Sequence, residues 1–150
     1  MYEKGLIDGT PVVLAKPQTF MNRSGLAVSR FLDFFSMSHK DLLVIHDEID
    51  LEFGIIKIKE KGGDGGHKGI RSIIDAVGSD DFIRLRMGIG RPGHKGDVSG
   101  FVLSSFTKED RQSLDKIIQA AREAILTILC KGAKEGMNRY NKKNVLNSSE

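Results

Sequence analysis

His46-Asp47-Glu48-Ile49-Asp50 sets an imidazole among three carboxylates directly after the apolar run Leu42 to Ile45. Acids at the end of a strand-like run are groups for acid–base chemistry or for holding a cation. The next strand-like run, Ile55 to Lys59, alternates, so Lys57 and Lys59 share one face while Ile56 and Ile58 share the other. A glycine-rich loop follows, Lys61-Gly62-Gly63-Asp64-Gly65-Gly66-His67-Lys68-Gly69, and opens into an apolar, helix-like segment. Glycine raises the entropic cost of folding. Strand, glycine turn and helix together bring backbone N–H groups close to a ligand. Basic residues gather around these segments: Lys57, Lys59, Lys61, Lys68 and Arg71, then Arg84, Arg86, Arg91 and Lys95, then Lys131, Lys134, Arg139, Lys142 and Lys143. Such clusters beside a glycine loop point to a phosphate-rich partner, although the net charge is only +3.

Familiar site motifs are not met. Gly88-Ile-Gly90-Arg-Pro-Gly93 reads as G-x-G-x-x-G, but Pro92 and the polar run after it supply no helix to meet a pyrophosphate. Gly62 to Lys68 departs from a P-loop at His67, and Gly69 stands where Ser or Thr would hold magnesium. His46 and Asp47 are strand neighbours pointing to opposite faces, and no zinc-type helix motif is present, so no metal is expected. Each candidate also has an ordinary structural role. Asn22 suits a helix N-cap and Asp47 a turn cap. Phe20 and Met21 suit a core, Lys57 and Lys59 a solvated strand face, and His67 loop structure.

The elements that would position these groups follow from periodicity. Thr10 to Lys16 reads as an interior strand closed by Pro17, and Met1 to Gly9 as a polar lead into it. Asn22 or Ser24 caps a helix to about Phe35, with Leu26, Phe31, Leu32 and Phe35 near one face. Leu42 to Asp47 is apolar enough to be a strand buried on both sides. Ile70 to Val77 is a short helix ended by Gly78. Phe82 to Ile89 is a strand in which Phe82, Arg84 and Arg86 oppose Ile83, Leu85 and Met87. Arg91 to Gly100 is a polar loop. Thr107 opens a capping box for the longest helix, to Lys131, with Leu114, Ile117, Ile118, Ala121, Ile125, Ile128 and Leu129 as its stripe and Gly132 as its stop. From Lys142 the chain is a polar, disordered tail.

Strands alternating with helices give an α/β fold, a single-domain α/β/α sandwich with a mixed sheet over residues 1–141 and a tail over 142–150. Apolar content of 39% and charge of 29% are ordinary for a soluble protein, and no run reaches membrane-span length. The single Cys130 reads as a buried small hydrophobe, and its solitude suits the cytoplasm. The chain reads as if it begins partway through a domain.

Three stretches, in this order and spacing, resemble the bacterial peptidyl-tRNA hydrolases: Lys16-Pro-Gln-Thr-Phe-Met-Asn22 with Ser24-Gly25; His46 to Asp50; and Gly62 to Gly69 followed by Arg84 to Gly93. Gly100-Phe-Val-Leu103 and Asn138-Arg139 also fit, so the likeness runs from about Thr10 to Tyr140. The resemblance implies hydrolysis of the ester joining a peptide to the terminal ribose of tRNA, with tRNA as partner and neither metal nor cofactor. It gives Asp47 the role of holding and polarising a catalytic histidine. Asn22 anchors substrate and water, Phe20 and Met21 line the cleft, and His67 and Lys68 stand on the substrate side. Lys57, Lys59 and Arg86 receive tRNA phosphates. Family members are monomers.

The sequence departs from the family pattern twice. The family's leading strand, Gly-Asn-Pro-Gly turn and catalytic histidine belong ahead of Thr10, where this sequence does not carry them. Lys68 stands where the family usually has asparagine; an ammonium donates hydrogen bonds but accepts none. Three readings follow: an esterase whose leading segment is missing, a non-catalytic RNA-binding module of the same fold akin to plant-organelle splicing factors, and a short hydrolase using His46 or His67 as base. A sheet lacking its first strand is also expected to self-associate.

Overall fold

The computed structural model describes residues 1–91, 100, 102 and 105–147. Residues 92–99 of the polar loop expected over Arg91 to Gly100, with Lys95 among them, and Phe101 and Leu103 of the Gly100–Leu103 motif lie outside the described residues. The chain divides into two compact units, Met1–Val44 with Glu60–Ile83 and Ile45–Lys59 with Arg84–Glu150. It is an α/β chain with a mixed sheet, as expected. Among the described residues no helix is long and apolar enough to cross a membrane.

The first unit starts with a hairpin. Strand β1, Tyr2–Ile7, pairs antiparallel with β2, Thr10–Ala15, in a register running from Tyr2 opposite Ala15 to Ile7 opposite Thr10. The strand expected from Thr10 is found, but as a largely exposed hairpin strand rather than an interior one, and the expected polar lead is itself a strand. Asp8 and Gly9 adopt φ of 49° and 81°, the left-handed pair of a tight hairpin turn. The Asp-Gly dipeptide was the available signal. Both strands are largely exposed. Tyr2 secures β1 to the first helix, with its ring edge-on to Phe31 and Phe35 at 5.4 and 5.6 Å between centroids.

A 3-10 turn, Met21–Arg23, leads into helix α1, Ser24–Phe34. Neither Asn22 nor Ser24 caps it. The N-cap is Arg23, with no side-chain cap bond, and the Ser24 hydroxyl donates back to the Met21 carbonyl at 2.8 Å. The buried face is Gly25, Val28 and Leu32 rather than the aromatic one, and Leu26 is exposed. Helix α2, Lys68–Val77, ends at Gly78, whose φ of 79° makes the left-handed cap. Ile70 and Ile73 of α2 form a core with Phe82, and Val28, Leu42 and Val44 pack against it. The two helices meet at Gly25. Its N–H donates to Ser72 Oγ at 2.8 Å, and a Cβ there would lie 2.0 Å from the Ser72 carbonyl oxygen.

The second unit holds most of a three-stranded sheet. Its strands are β3, Leu43–Glu48; β4, Ile56–Lys59; and β5, Ile83–Gly88, in the order β3-β5-β4. Ile83 N–H donates to Leu42 C=O and Ile89 N–H to Glu48 C=O, a constant offset that makes β3 and β5 parallel. β4 and β5 are antiparallel. β3 is an outer strand of this sheet, and it is not buried on both faces, since Ile45 is 48% exposed. Ile56, Ile58 and Leu85 are buried on one face, as alternation demands, but Arg84 is buried too, so β5 is covered on both faces at its start.

Helix α3, Lys108–Lys131, is capped by Thr107 Oγ1, which accepts from the Asp110 N–H at 3.1 Å, and stops at Gly132. Its buried stripe is Ile117, Ala121, Ala124, Thr127 and Ile128. Ile118 and Leu129 are exposed, because each lies one residue, about 100°, around the helix from a buried neighbour. Cys130 is likewise exposed, about 200° around from Ile128. Helix α4, Ala133–Tyr140, follows at once. The residues after it are not a disordered tail as far as Asn147. Asn144 bridges to Ile55, and Val145 N–H donates to Gly54 C=O. The Asn141 carboxamide accepts from the Ile58 N–H at 2.7 Å and donates to the Ile58 carbonyl at 2.9 Å.

Gly25→Ala is expected to lose about 3 kcal/mol in urea denaturation, because backbone rather than a pliable side chain opposes the new methyl. Ser72→Ala, which removes only the acceptor, is expected to lose about 1 kcal/mol.

Candidate functional site

The Gly25 contact brings the start of α1 against the start of α2 within the first unit. A hollow of about 370 Å³ lies there. Asn22, His67 and Lys68 line it, together with Asp64, Gly66, Arg71, Ser72 and Asp75. Asn22 sits in the 3-10 turn ahead of α1, exposed, and its side chain makes no hydrogen bond among the described residues. Since Arg23 takes the cap position, the Asn22 amide keeps both its donor and its acceptor for a ligand.

His67 is committed in part. Its Nδ1 accepts from the Gly69 and Ile70 N–H groups at 3.1 and 3.2 Å, which makes it the N-cap of α2. An accepting Nδ1 carries no proton, so the neutral ring is protonated at Nε2. Gly69 is needed beside it: a Cβ there would lie 2.6 Å from Met21 Sδ and 2.9 Å from His67 Cε1. Met21 therefore touches the start of α2. Phe20 is 83% exposed, far from the core role its type suggests. Lys68, the first residue of α2, is exposed and has no carboxylate within ion-pair distance among the described residues.

Arg71 and Asp64, read in the sequence only as part of a basic cluster and of the glycine loop, shape the same hollow. Arg71 lies 3.8 Å from half-buried Asp64 and 3.7 Å from exposed Asp75, both loose pairs. Asp64 Oδ1 also accepts the Gly66 N–H at 2.7 Å, which folds the glycine loop back on itself. The signal for Asp64 was its place between two Gly-Gly pairs, where aspartate commonly closes a turn.

Asp47, Lys57, Lys59 and Arg86 belong to the second unit and are not among the residues lining the hollow. Asp47 is half-buried on β3, and its backbone carbonyl accepts from His46 Nδ1 at 2.8 Å. That bond ties the His46 ring to the backbone of its neighbour. The β4–β5 register sets Lys57 opposite Arg86 and Lys59 opposite Arg84, an array of four cations. Arg86 is not a free phosphate receptor: its Nη1 lies 3.3 Å from Oε1 of buried Glu48, and its side chain is 21% exposed. Sequence alternation could not reveal this pairing, because Glu48 and Arg86 are 38 residues apart. Nε of Arg86 is buried without an acceptor among the described residues. Beyond the array, Arg91 pairs with Asp50. No group of three His, Cys, Asp or Glu side chains that could hold a metal ion occurs among the described residues.

The family model described as "Peptidyl-tRNA hydrolase" matches residues 1–148. A peptidyl-tRNA hydrolase of Syntrophotalea carbinolica is 44% identical over 137 residues, covering 91% of this chain and 72% of the relative. A chloroplastic peptidyl-tRNA hydrolase of Arabidopsis thaliana is 47% identical over 133 residues, covering 88% of this chain and 46% of the relative. The crystal structure of a point variant of peptidyl-tRNA hydrolase from Acinetobacter baumannii superposes with a TM-score of 0.87 at 37% identity, covering 95% of this chain and 72% of that one. With a match to the family model along almost its whole length, this chain belongs to the peptidyl-tRNA hydrolase family.

Proposed function

We propose that this chain acts on peptidyl-tRNA and hydrolyses the ester that joins the peptide to the terminal ribose. The observation that carries the reading is the hollow at the start of α1 and α2, where the uncommitted amide of Asn22 stands with His67 and Lys68. Asn22 can orient the carbonyl and an attacking water by offering one donor and one acceptor. Lys68 offers an ammonium to the ester carbonyl or to a terminal phosphate. Phe20 and Met21 give the peptide an apolar wall. Asp47 serves as the carboxylate that orients an imidazole base.

The cations take the tRNA backbone. Lys57 and Lys59 supply direct phosphate contacts. Arg86 contributes its remaining N–H groups while Glu48 fixes its orientation. Lys57 and Lys59, which have no ion-pair partner among the described residues, give this strand face a positive charge that favours a polyanion.

The base itself is the open element. None of the residues from Met1 to Gly9 is a histidine. His67 Nδ1 is occupied as a cap and His46 Nδ1 by a backbone carbonyl. This 150-residue chain is therefore proposed to bind acylated tRNA well and to turn it over slowly. The cation array alone would equally serve a non-catalytic RNA-binding protein of this fold, and hydrolysis separates the two.

Hydrolysis of an N-blocked aminoacyl-tRNA, followed as release of the acyl group, is expected to run about 10²- to 10⁴-fold faster in an N-terminally extended form than in this chain. Equal rates would reject the slow-turnover proposal, and no hydrolysis by either would favour the binding module. In the extended form, Asn22→Ala is expected to lower kcat/KM by about 10²-fold. Lys57→Gln with Lys59→Gln is expected to raise KM, leave kcat near its parent value and reduce the dependence of log affinity on log salt by one to two units, at about 0.7–0.9 per phosphate contact.

A further inference from the structure

We propose that Asn141 is a positioning residue for tRNA binding: its carboxamide acts as a missing strand neighbour for β4 and so fixes Lys57 and Lys59. The proposal rests on the reading of the cation array as the tRNA-backbone contact.

β4 is the outer strand of the order β3-β5-β4. Gly88 N–H donates to Ile55 C=O, so the odd-numbered residues of this segment turn their backbone groups towards β5. The even-numbered ones turn outward, and Ile58, only 1% exposed, would leave an N–H and a C=O at a strand edge with little access to water. The Asn141 side chain meets both, accepting at 2.7 Å and donating at 2.9 Å. Of the side chains, only a carboxamide carries that donor and acceptor side by side in one plane.

Lys57 faces Arg86, which Glu48 already engages, and Lys59 faces Arg84 across the strand pair. Ile58 lies between the two lysines in sequence. Holding its backbone from outside and its side chain from α4, where Gly136 permits close approach, fixes the pleat that points both ammonium groups the same way. Asn144 and Val145 hold the residues just ahead of β4 through Phe53, Gly54 and Ile55.

The test is equilibrium binding of deacylated tRNA to the 150-residue chain across a potassium chloride series. Four variants are compared with the parent: Asn141→Ala, Asn141→Asp, Lys57→Gln with Lys59→Gln, and Thr107→Ala. Thr107→Ala lowers stability by removing the α3 cap, far along the chain from the array, and should keep the parent salt slope. Asn141→Asp keeps an acceptor for the Ile58 N–H but offers the carbonyl no donor, and it serves if Asn141→Ala does not fold. Asn141 variants are expected to lose affinity on the order of ten-fold and to flatten the salt slope by about one unit, towards that of the double lysine variant. A parent-like slope in folded Asn141 variants, with a flattened slope in the lysine variant, overturns the positioning role and leaves the array intact. An equal flattening in Thr107→Ala overturns it as general loosening. A parent-like slope in the lysine variant rejects the array itself, and this proposal with it.

Discussion

The N–H of Gly25 donating to Ser72 Oγ is the contact on which the candidate site depends. It forms only because position 25 has no side chain; a methyl there would occupy the place of the Ser72 backbone. Close approach at that point brings the residues before α1 to the residues before α2. Asn22 and Met21 come from one side, His67, Lys68 and Gly69 from the other. The same economy recurs at Gly69, where a missing side chain leaves room for the Met21 sulfur. Two glycines thus decide the shape of the hollow more directly than the polar residues that line it.

Capping divides the polar groups between architecture and chemistry. A histidine ring nitrogen satisfies two of the orphan N–H groups at the start of α2. The 3-10 turn before α1 spares Asn22 the corresponding duty. One polar side chain is therefore spent on the fold and the other is kept for a ligand. In the second unit the split falls between arginine and lysine. Glu48 engages Arg86 in a half-buried pair, whereas Lys57 and Lys59 have no ion-pair partner among the described residues. The fixed fork of a guanidinium suits such a pairing, and the flexible ammonium suits a moving phosphate backbone.

The pieces that were legible in the sequence are those governed by local chemistry. Period-two alternation set Ile56 and Ile58 against Lys57 and Lys59, Gly78 and Gly132 stopped their helices, and Thr107 began the longest one. The spacing of the Asn22, Asp47 and Gly62–Gly69 motifs carried the family, which the match over residues 1–148 bears out. The hairpin was missed because β1 is too polar to look like a strand, though Asp8-Gly9 marks its turn. The α3 stripe was drawn too wide, since an apolar residue on a long helix need not face the core, as Ile118 and Leu129 do not.

What the sequence settled alone was residue type, period and order, because these act within a turn of helix or a few residues of strand. Tertiary structure decided the rest, because it depends on groups distant along the chain. Arg86 finds Glu48, Gly25 finds Ser72, and Ile58 finds Asn141 only after folding. No periodicity encodes such meetings: a hydrogen bond is set by separation in space, and strand order and helix approach fix that separation.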